Sequence, residues 1–142
     1  MTSCQAGSES IEPVETKVTV PDTTLGFSRV EIKQEVKKGI LHEYKHFYFQ
    51  DGTIAMQGGF INSVKENWWE EFYVSGKINS KGNYLNGKKQ GDWIMYFESG
   101  TLQSLGAFDI GQMHGWWKHY NEKNKMISEG NYYKGGKQGY WI

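Results

Sequence analysis

A tryptophan recurs in this sequence at a fixed interval. Trp69, Trp93, Trp117 and Trp141 lie 24 residues apart, and Lys45 occupies the same position one interval earlier, with no insertion or deletion between them. A fixed period of about 20 to 50 residues is typical of proteins built from repeated structural units. Because such a unit is too small to bury a core alone, it must pack against its neighbours. The chain is therefore constrained to form an array of similar units.

Glycine and aromatic residues recur with the same period. One glycine position, replaced once by asparagine, comprises Gly52, Gly76, Gly100 and Asn124. A second comprises Gly58, Gly82, Gly106 and Gly130. Two residues after the second glycine comes an aromatic residue, at Phe60, Tyr84, Phe108 and Tyr132. Glycine and asparagine tolerate the positive φ angles of tight turns, so each unit is predicted to be a β-hairpin that turns at the first of these positions.

The second glycine position predicts how the hairpins pack. A glycine inside a strand leaves bare backbone, over which a large ring from the neighbouring strand can lie. The recurring tryptophan is the obvious source of that ring. The predicted structural core of the repeats therefore comprises Trp69, Trp93, Trp117, Trp141, Gly82, Gly106, Gly130, Tyr84, Phe108 and Tyr132.

These features predict an all-β protein, an elongated antiparallel β-meander of repeated 24-residue β-hairpins that forms an open single-layer sheet. Residues 1–16 are polar and rich in serine and glutamate, which indicates a disordered N-terminal tail. Residues 17–44 match the repeat only in part, with Pro21 at the tryptophan position, and are predicted to be a degenerate capping repeat at an edge. Residues 45–142 then contain four hairpin repeats and the start of a fifth.

The charge composition argues against nucleic acid as a partner. Acidic and basic side chains balance, at 16 each in 142 residues. Arg29 is the only arginine in the sequence. Proteins that bind nucleic acid concentrate arginine and lysine to neutralise phosphates, and no part of this chain carries such a basic cluster.

The N-terminal sequence leaves the localisation open. It has neither an apolar run of about 18 residues, which could span a membrane, nor the basic and then apolar pattern of a signal peptide. As the sequence stands, a cytoplasmic protein is expected. Thr2-Ser3-Cys4-Gln5 is nevertheless similar to the end of a bacterial lipoprotein signal, in which a cysteine after small residues carries the lipid. A truncated surface lipoprotein, lipidated at Cys4, is the alternative.

One segment matches a catalytic motif. His42-Glu43-Tyr44-Lys45-His46 fits the zinc-protease pattern H-E-x-x-H, whose chemistry needs a helix that brings both imidazoles to one side. Here the segment falls in the register of a strand, where positions four apart lie about 13 Å from one another. Zinc–nitrogen bonds of about 2.1 Å cannot bridge that distance. We therefore expect a non-enzymatic protein, with no catalytic residue, no metal site and no cofactor.

A glycine-rich segment also resembles a phosphate-binding loop. Residues 87–91 read Gly-Lys-Lys-Gln-Gly, but the full P-loop pattern is absent and no helix pattern follows. A similar segment, Gly-Gly-Lys-Gln-Gly, recurs at residues 135–139. It is therefore predicted to be the turn between consecutive hairpins.

The position just before each tryptophan varies, and it supplies the candidate binding residues. It is occupied by Tyr44, Trp68, Asp92, Trp116 and Tyr140. Alternation along a strand places this side chain on the face opposite the tryptophan. Because Asp92 is accepted there, an aromatic ring is not required for folding, and Tyr44, Trp68, Trp116 and Tyr140 are candidate partner-binding residues. The alternative is that these rings cover the second face of a thin sheet.

The repeated positions resemble the MORN repeat, in the form G-x-W-x-x-Y/F-x-x-G-x-I/L followed by G-x-Y/F-x-x-G. The chain is most similar to the YwqK-like group of bacterial repeat proteins, which are described as antitoxins. The resemblance covers residues 45–142 well and residues 30–44 weakly, and Lys45, Ser63 and Asn67 depart from the pattern. It implies a non-enzymatic scaffold that binds a protein partner, with an antitoxin or immunity role as one form of that function.

The resemblance also implies an alternative function, because MORN repeats have been linked to lipid association. In that case the protein is a membrane-associated scaffold. The lysines that would contact lipid head groups are Lys77, Lys88, Lys89, Lys134 and Lys137. The balanced charge argues against this alternative, since each lysine contributes only about 1 kcal/mol near an anionic membrane surface.

Overall fold

A single β-sheet contains every strand of the part of the chain that this computed structural model describes, residues 15–19 and 26–142. The strands are β1 (Glu15–Thr19), β2 (Arg29–Lys37), β3 (Ile40–Tyr48), β4 (Ile54–Ile61), β5 (Val64–Phe72), β6 (Ile78–Leu85), β7 (Lys88–Tyr96), β8 (Leu102–Asp109), β9 (Gln112–Tyr120), β10 (Met126–Tyr133) and β11 (Gly136–Trp141). Each pairs antiparallel with the next in sequence order, and β1 and β11 form the two edges. The predicted all-β, open meander is confirmed.

The N-terminal predictions fall largely outside this region. Cys4, Pro21 and most of the predicted tail lie outside the described residues. Strand β1 begins at Glu15, so the last two residues of the segment 1–16 belong to a strand. Within the segment 17–44, the hairpin of β2 and β3 pairs without a register shift, unlike the hairpins that follow.

Turns at one end of the sheet have the conformation that the sequence predicts. The φ angles of Gly52, Gly76, Gly100 and Asn124 are 86°, 87°, 92° and 58°. Each turn is closed by a backbone hydrogen bond; in the second, the amide of Gly76 donates to the carbonyl of Tyr73 over 2.9 Å. Only glycine adopts this region without strain, and asparagine tolerates it better than other residues.

At the other end of the sheet, each hairpin turns through two residues with positive φ. These pairs are Lys38-Gly39, Asn62-Ser63, Asn86-Gly87, Ile110-Gly111 and Lys134-Gly135. Two consecutive positive φ angles define the turn type that matches the twist of hairpin strands. The prediction that residues 87–91 form a turn is right only for its first residue, because β7 begins at Lys88. Gly91, with φ 72°, instead lies inside β7, where the pairing with β6 shifts register between Gly82 and Asn83.

The core is a row of tryptophan rings lying on glycines. Trp69, Trp93 and Trp117 are fully buried. A Cβ atom placed on Gly82 would lie 2.4 Å from Cδ2 of Trp93, so the ring occupies the space of the missing side chain. The same contact recurs for Trp69 on Gly58, Trp117 on Gly106 and Trp141 on Gly130. This is the ring-on-glycine packing that the sequence predicts.

Each of these indoles is also tied to the backbone. The N–H of Trp93 donates to the carbonyl of Asn83 over 3.0 Å, next to the register shift. Trp69, Trp117 and Trp141 make the equivalent bond to Gly59, Ala107 and Asn131 over 3.0 to 3.2 Å. A buried donor left without a partner would cost about 1–3 kcal/mol, so these bonds stabilise the buried position of the indole.

Aromatic rings between the tryptophans join the repeats. Edge-to-face contacts, with centroids 4.9 to 6.2 Å apart, run along Phe60, Trp69, Tyr84, Trp93, Phe108, Trp117, Tyr132 and Trp141. Lysine ammonium groups cover three of the indoles, with Lys65, Lys89 and Lys137 at 4.1 to 4.3 Å from the ring centroids. Such contacts contribute about 0.5–1.5 kcal/mol per aromatic pair beyond the buried area. Desolvation raises the pKa of the Tyr84 phenol to about 12, with a smaller contribution from Glu71.

The first unit of the row is built differently. Lys45 stands at the tryptophan position, and its ammonium lies 4.4 Å from the ring centroid of Phe60. It also pairs with the carboxylate of Glu43 over 3.4 Å, and both side chains are largely buried. The lysine therefore packs on an aromatic ring with its charge compensated by a neighbouring carboxylate.

Candidate functional site

The sheet presents two faces with different roles in packing. We call the side that carries Trp69, Trp93, Trp117 and Trp141 the Trp face, and the other side the opposite face. Because successive residues of a strand alternate, Trp68 points away from Trp69 and lies on the opposite face. The Trp face is covered by its own rings and lysines. The opposite face has no second layer in the part of the chain that the structure describes.

The four candidate partner-binding residues are all exposed on the opposite face. Their exposed fractions are 39% for Tyr44, 45% for Trp68, 51% for Trp116 and 78% for Tyr140. They lie on every second strand, at β3, β5, β9 and β11, and Asp92 takes the intermediate place on β7. We call this line of side chains the aromatic row. Since neighbouring strands are about 4.8 Å apart, the axes of alternate strands are about 9.6 Å apart.

Short side chains separate the rings of the aromatic row. The register pairs Tyr44 with Gly59, Trp68 with Asn83, and Trp116 with Asn131, and it places Ala107 opposite Asp92. A ring next to such residues stands above its surroundings. Each of these rings is more than a third exposed, so each covers the opposite face only in part.

A groove lies between Tyr44 and Trp68. Its volume is about 360 Å³, and it is lined by Lys33, Glu35, His42, Tyr44, Gly59 and Trp68, among others. Gly59 forms the floor, since it pairs with Tyr44 on one side and Glu66 on the other and carries no side chain. The corresponding positions in later repeats are Asn83, Ala107 and Asn131. The groove is therefore specific to the first complete repeat.

Trp68 and Trp116 differ in the state of their indole N–H groups. The N–H of Trp116 donates to the carboxylate of Glu129 over 3.0 Å, and Lys118 lies 4.0 Å from the same carboxylate. The four tryptophans of the Trp face donate to backbone carbonyls. Trp68 is thus the one indole whose N–H has no acceptor among the described residues. It can donate a hydrogen bond to a ligand in the groove.

Two carboxylates flank Trp68 on the opposite face. Glu66 and Glu70 lie two residues before and after it on β5. Glu66 accepts a hydrogen bond from the amide of Asn86 over 2.7 Å, and Glu70 accepts one from the side chain of Gln57 over 2.7 Å. Neither carboxylate has a lysine or arginine within ion-pair distance among residues 15–19 and 26–142. Burial and, to a lesser extent, the charge of Glu70 raise the pKa of the Tyr44 phenol.

The histidines of the zinc-protease pattern do not form a site with Glu43. The whole segment belongs to β3, so the prediction that it is a strand is confirmed. His42 and His46 lie on the opposite face, whereas Glu43 lies on the Trp face beside Lys45. No group of three or more possible metal ligands occurs in the described ranges. His42 contributes instead to the wall of the groove.

A second pocket, on the Trp face, is centred on His119. Its volume is about 380 Å³, and Tyr132, Ser128 and Lys137 contribute to its lining. The imidazole lies between the rings of Trp117 and Trp141, stacked 6.0 Å from each. Its Nε2 atom is buried without a hydrogen-bond partner. Burial, followed by the charge of Lys137, lowers the pKa of His119 from its ordinary value.

The lysines of the lipid alternative are not gathered into one patch. Lys89 and Lys137 cover indole rings on the Trp face. Lys88 and Lys134 stand at the two-residue turns, whereas Lys77 is at the other end of the sheet, where it donates to the carbonyl of Ser99 over 3.2 Å. Nothing in residues 15–19 and 26–142 is a helix long and apolar enough to cross a membrane.

Sequence reasoning identified the aromatic row but missed the groove. Gly59, Glu66 and Glu70 were not among the candidate residues, although all three adjoin Trp68 or Tyr44. The available signal was the doublet Gly58-Gly59, because only the first glycine of that pair recurs in every repeat. Comparison with known proteins gives no match to any protein-family model or to any curated protein.

Proposed function

We propose that this protein is a non-enzymatic repeat scaffold that binds a protein partner through the aromatic row of its opposite face. The supporting observation is that Tyr44, Trp68, Trp116 and Tyr140 are exposed on one side of a sheet whose fully buried tryptophans, Trp69, Trp93 and Trp117, are on the other. Aromatic residues are enriched at protein interfaces, where tryptophan and tyrosine are common anchors. The likeness of the scaffold positions of the repeats to the MORN repeat, and to its YwqK-like bacterial group, is consistent with an antitoxin or immunity role for this protein.

The length of the aromatic row is consistent with a protein surface as ligand. From β3 to β11 it crosses nine neighbouring strands, or roughly 38 Å at about 4.8 Å per strand. A standard protein interface buries about 800 Å² on each partner, which is a patch of about this length and one or two side chains in width. The rings supply the apolar contacts, and Asn83, Asp92 and Asn131 between them supply polar ones.

Affinity capture with matched variants tests the proposal. The tagged protein is incubated with an extract of its source cells, and bound proteins are quantified by mass spectrometry for the parent, Trp68→Ala/Trp116→Ala and Val74→Ala. Val74 is 57% exposed but lies in a turn, away from the aromatic row. We expect a protein that the parent and Val74→Ala retain equally and that the double variant loses by at least about tenfold.

Melting curves of the same variants are the control for folding. All three proteins are expected to melt within a few degrees of one another, since the changed side chains lie outside the core. If every protein that the parent retains is retained equally by the double variant, the aromatic row does not bind the partner and the proposal is wrong.

A further inference from the structure

The groove between Tyr44 and Trp68 has the form of a site for an extended peptide. The two exposed rings lie on alternate strands, β3 and β5, whose axes are about 9.6 Å apart. Gly59 between them carries no side chain, and a Cβ atom there would lie 2.9 Å from the carbonyl oxygen of Glu66, so the floor of the groove at this point is backbone. One wall carries the free indole N–H of Trp68. Aromatic walls around a shallow groove, with an indole donor, are how several unrelated domains recognise proline-rich segments.

The distance between strands β3 and β5, which carry the two rings, is close to the length of one turn of the polyproline II helix. That helix has three residues per turn and a rise of about 3.1 Å per residue, so its turns repeat every 9.3 Å or so. A segment that crosses the strands therefore places residues three apart against Tyr44 and Trp68. Its carbonyl groups make no internal hydrogen bonds and are free to accept one from the Trp68 indole. The cost of ordering is low, because proline holds this conformation before binding.

The charges around the groove favour a positively charged residue in the bound peptide, next to the prolines. Glu66 and Glu70 flank Trp68, and no lysine or arginine of the described residues pairs with them. Lys81 is opposite Glu70 in the register, but its ammonium lies over the ring of Tyr96 at 5.9 Å from the centroid. At the far side of the groove, Lys33 and Glu35 carry opposite charges, and Glu35 pairs with Lys37 over 2.6 Å. The side next to Trp68 thus complements a cation.

We propose that the groove between Tyr44 and Trp68 binds a proline-rich segment in the polyproline II conformation, with a lysine or arginine next to the prolines that pairs with Glu66 and Glu70. This inference rests on the proposed function and names the class of partner. The prolines contact the two rings, and the Trp68 indole N–H donates to a peptide carbonyl. The equivalent position beside Trp116 is not a second site of this kind. The indole N–H of Trp116 already donates to Glu129, and Ala107 on β8 takes the place of Gly59.

Three synthetic peptides separate the components of the proposal. One has two arginines followed by nine prolines, the second has two glutamates in place of the arginines, and the third keeps the arginines but replaces the prolines with alternating glycine and serine. Binding is measured by fluorescence anisotropy of the labelled peptides. We expect the arginine–proline peptide to bind most tightly, the glutamate–proline peptide roughly tenfold more weakly, and the glycine–serine peptide not at all. Added salt should reduce the difference between the first two.

Variants assign the binding to the groove. Trp68→Ala should weaken the arginine–proline peptide by at least about tenfold, and Trp68→Phe, which keeps a ring but not the N–H, should have an intermediate effect. Val74→Ala, which changes an exposed side chain outside the aromatic row, is the control and should bind like the parent. In a ¹⁵N–¹H spectrum, the indole signal that disappears in Trp68→Phe should be the indole signal that moves most on addition of the peptide.

Several results would overturn this assignment. Equal binding of the glycine–serine peptide would show that proline is not recognised. An unchanged affinity of Trp68→Ala for the arginine–proline peptide would show that the groove does not bind it. Concentration-dependent dimerisation that Trp68→Ala abolishes would show that a second copy of the chain occupies the groove. If the peptides fail but capture of the cellular partner still depends on Trp68, the polyproline assignment is wrong and the proposed function stands. If Trp68→Ala binds the peptides like the parent and the Trp68→Ala/Trp116→Ala variant captures every protein that the parent captures, both are wrong.

Discussion

Adding a single methyl group at Gly106 tests whether the ring-on-glycine contact holds the repeats together. A Cβ atom there would lie 2.3, 2.4 and 2.5 Å from Cδ2, Cε2 and Cγ of Trp117. Carbon atoms pack at about 3.5–4.0 Å, so the ring must move by more than about 1 Å. The indole is held by its hydrogen bond to the carbonyl of Ala107, at 3.0 Å, and by an edge contact with Phe108. The substitution Gly106→Ala therefore cannot be accommodated by a small rotation of a flexible side chain.

The expected loss of stability follows from these contacts. Overpacking of a core costs about 1–3 kcal/mol, and the weakened indole hydrogen bond adds about 0.5–1.5 kcal/mol. Gly106→Ala should therefore lower the free energy of unfolding by about 2–4 kcal/mol. For a chain of 142 residues, that corresponds to a fall in melting temperature of roughly 6–20 °C. Urea unfolding, followed by tryptophan fluorescence and by circular dichroism, measures the free energy directly.

Two matched variants control for other effects of the methyl group. Gly136 has no positive φ, and a Cβ there would meet only the carbonyl oxygen of Tyr133 at 3.7 Å, so Gly136→Ala should change the free energy by less than about 0.5 kcal/mol. In a Trp117→Ala background the clash is gone, and Gly106→Ala should then cost almost nothing. The reasoning is refuted if Gly106→Ala unfolds with the parent, or if its cost is the same with and without the Trp117 ring.

Four further outcomes are expected. Trp93→Ala should lose about 3–5 kcal/mol in urea unfolding, because its ring is fully buried; a loss below about 1 kcal/mol would contradict the packing role. Ile110→Asn should raise the melting temperature, since isoleucine at φ 47° is strained by about 1–2 kcal/mol and Asn62 and Asn86 hold the same place in other turns; an unchanged or lower value would show that the strain is absent. Because the pKa of His119 is lowered in the folded state, the unfolded chain binds this proton first as pH falls. The free energy of unfolding should therefore decrease as pH falls from 6.5 towards the folded-state pKa, and it should decrease less steeply in His119→Gln. Equal dependence on pH in both proteins would show that His119 is not the cause. Because the pKa of Tyr84 is raised from 10.0 to about 12, the stabilisation that comes from its neutral phenol should be lost as pH rises through that interval. If Tyr84→Phe leaves the phenol absorbance titration unchanged above about pH 11, the raised pKa of Tyr84 is contradicted.

Periodicity made the fold predictable from the sequence. Corresponding positions of the repeats can be compared with one another. At the turn position glycine is replaced only by Asn124, which indicates a positive φ in all four turns, and the φ angles of the structure agree. The recurring glycine and tryptophan also identified the pair that packs together, because only a bare backbone accommodates an indole at this distance. Local rules and the global fold agree in these repeats, and such consistency is what makes a sequence readable.

The register shifts could not be predicted by the same reasoning. The recurrence of the glycine-rich segment 87–91 predicts a turn there, but Gly91 lies inside β7 with a positive φ, where the pairing with β6 shifts register. The hydrogen bond from Trp93 to the carbonyl of Asn83 depends on that shift. Neither follows from the composition of one strand, because each is a property of how two strands are aligned.

The groove was missed for a related reason. Alternation places Trp68 on the opposite face, which the sequence predicts, but it does not say which residue of the next strand lies beside the ring. Gly59 becomes the floor only through its pairing with Tyr44 and Glu66. The sequence also does not show which indole N–H groups find an acceptor. In the structure Trp116 donates to Glu129, whereas Trp68 has no acceptor among the described residues.

Melting of two variants at adjacent positions tests the division of the sheet into a packing face and a binding face most directly. Trp68 is 45% exposed on the opposite face, and Trp69, the next residue, is fully buried on the Trp face. Trp69→Ala is expected to lose about 3–5 kcal/mol and to melt roughly 10–25 °C below the parent. Trp68→Ala is expected to melt within about 3 °C of the parent, because a surface change costs less than about 0.5 kcal/mol. Equal losses in the two variants would contradict the account, since the opposite face would then be part of the core and not free to bind.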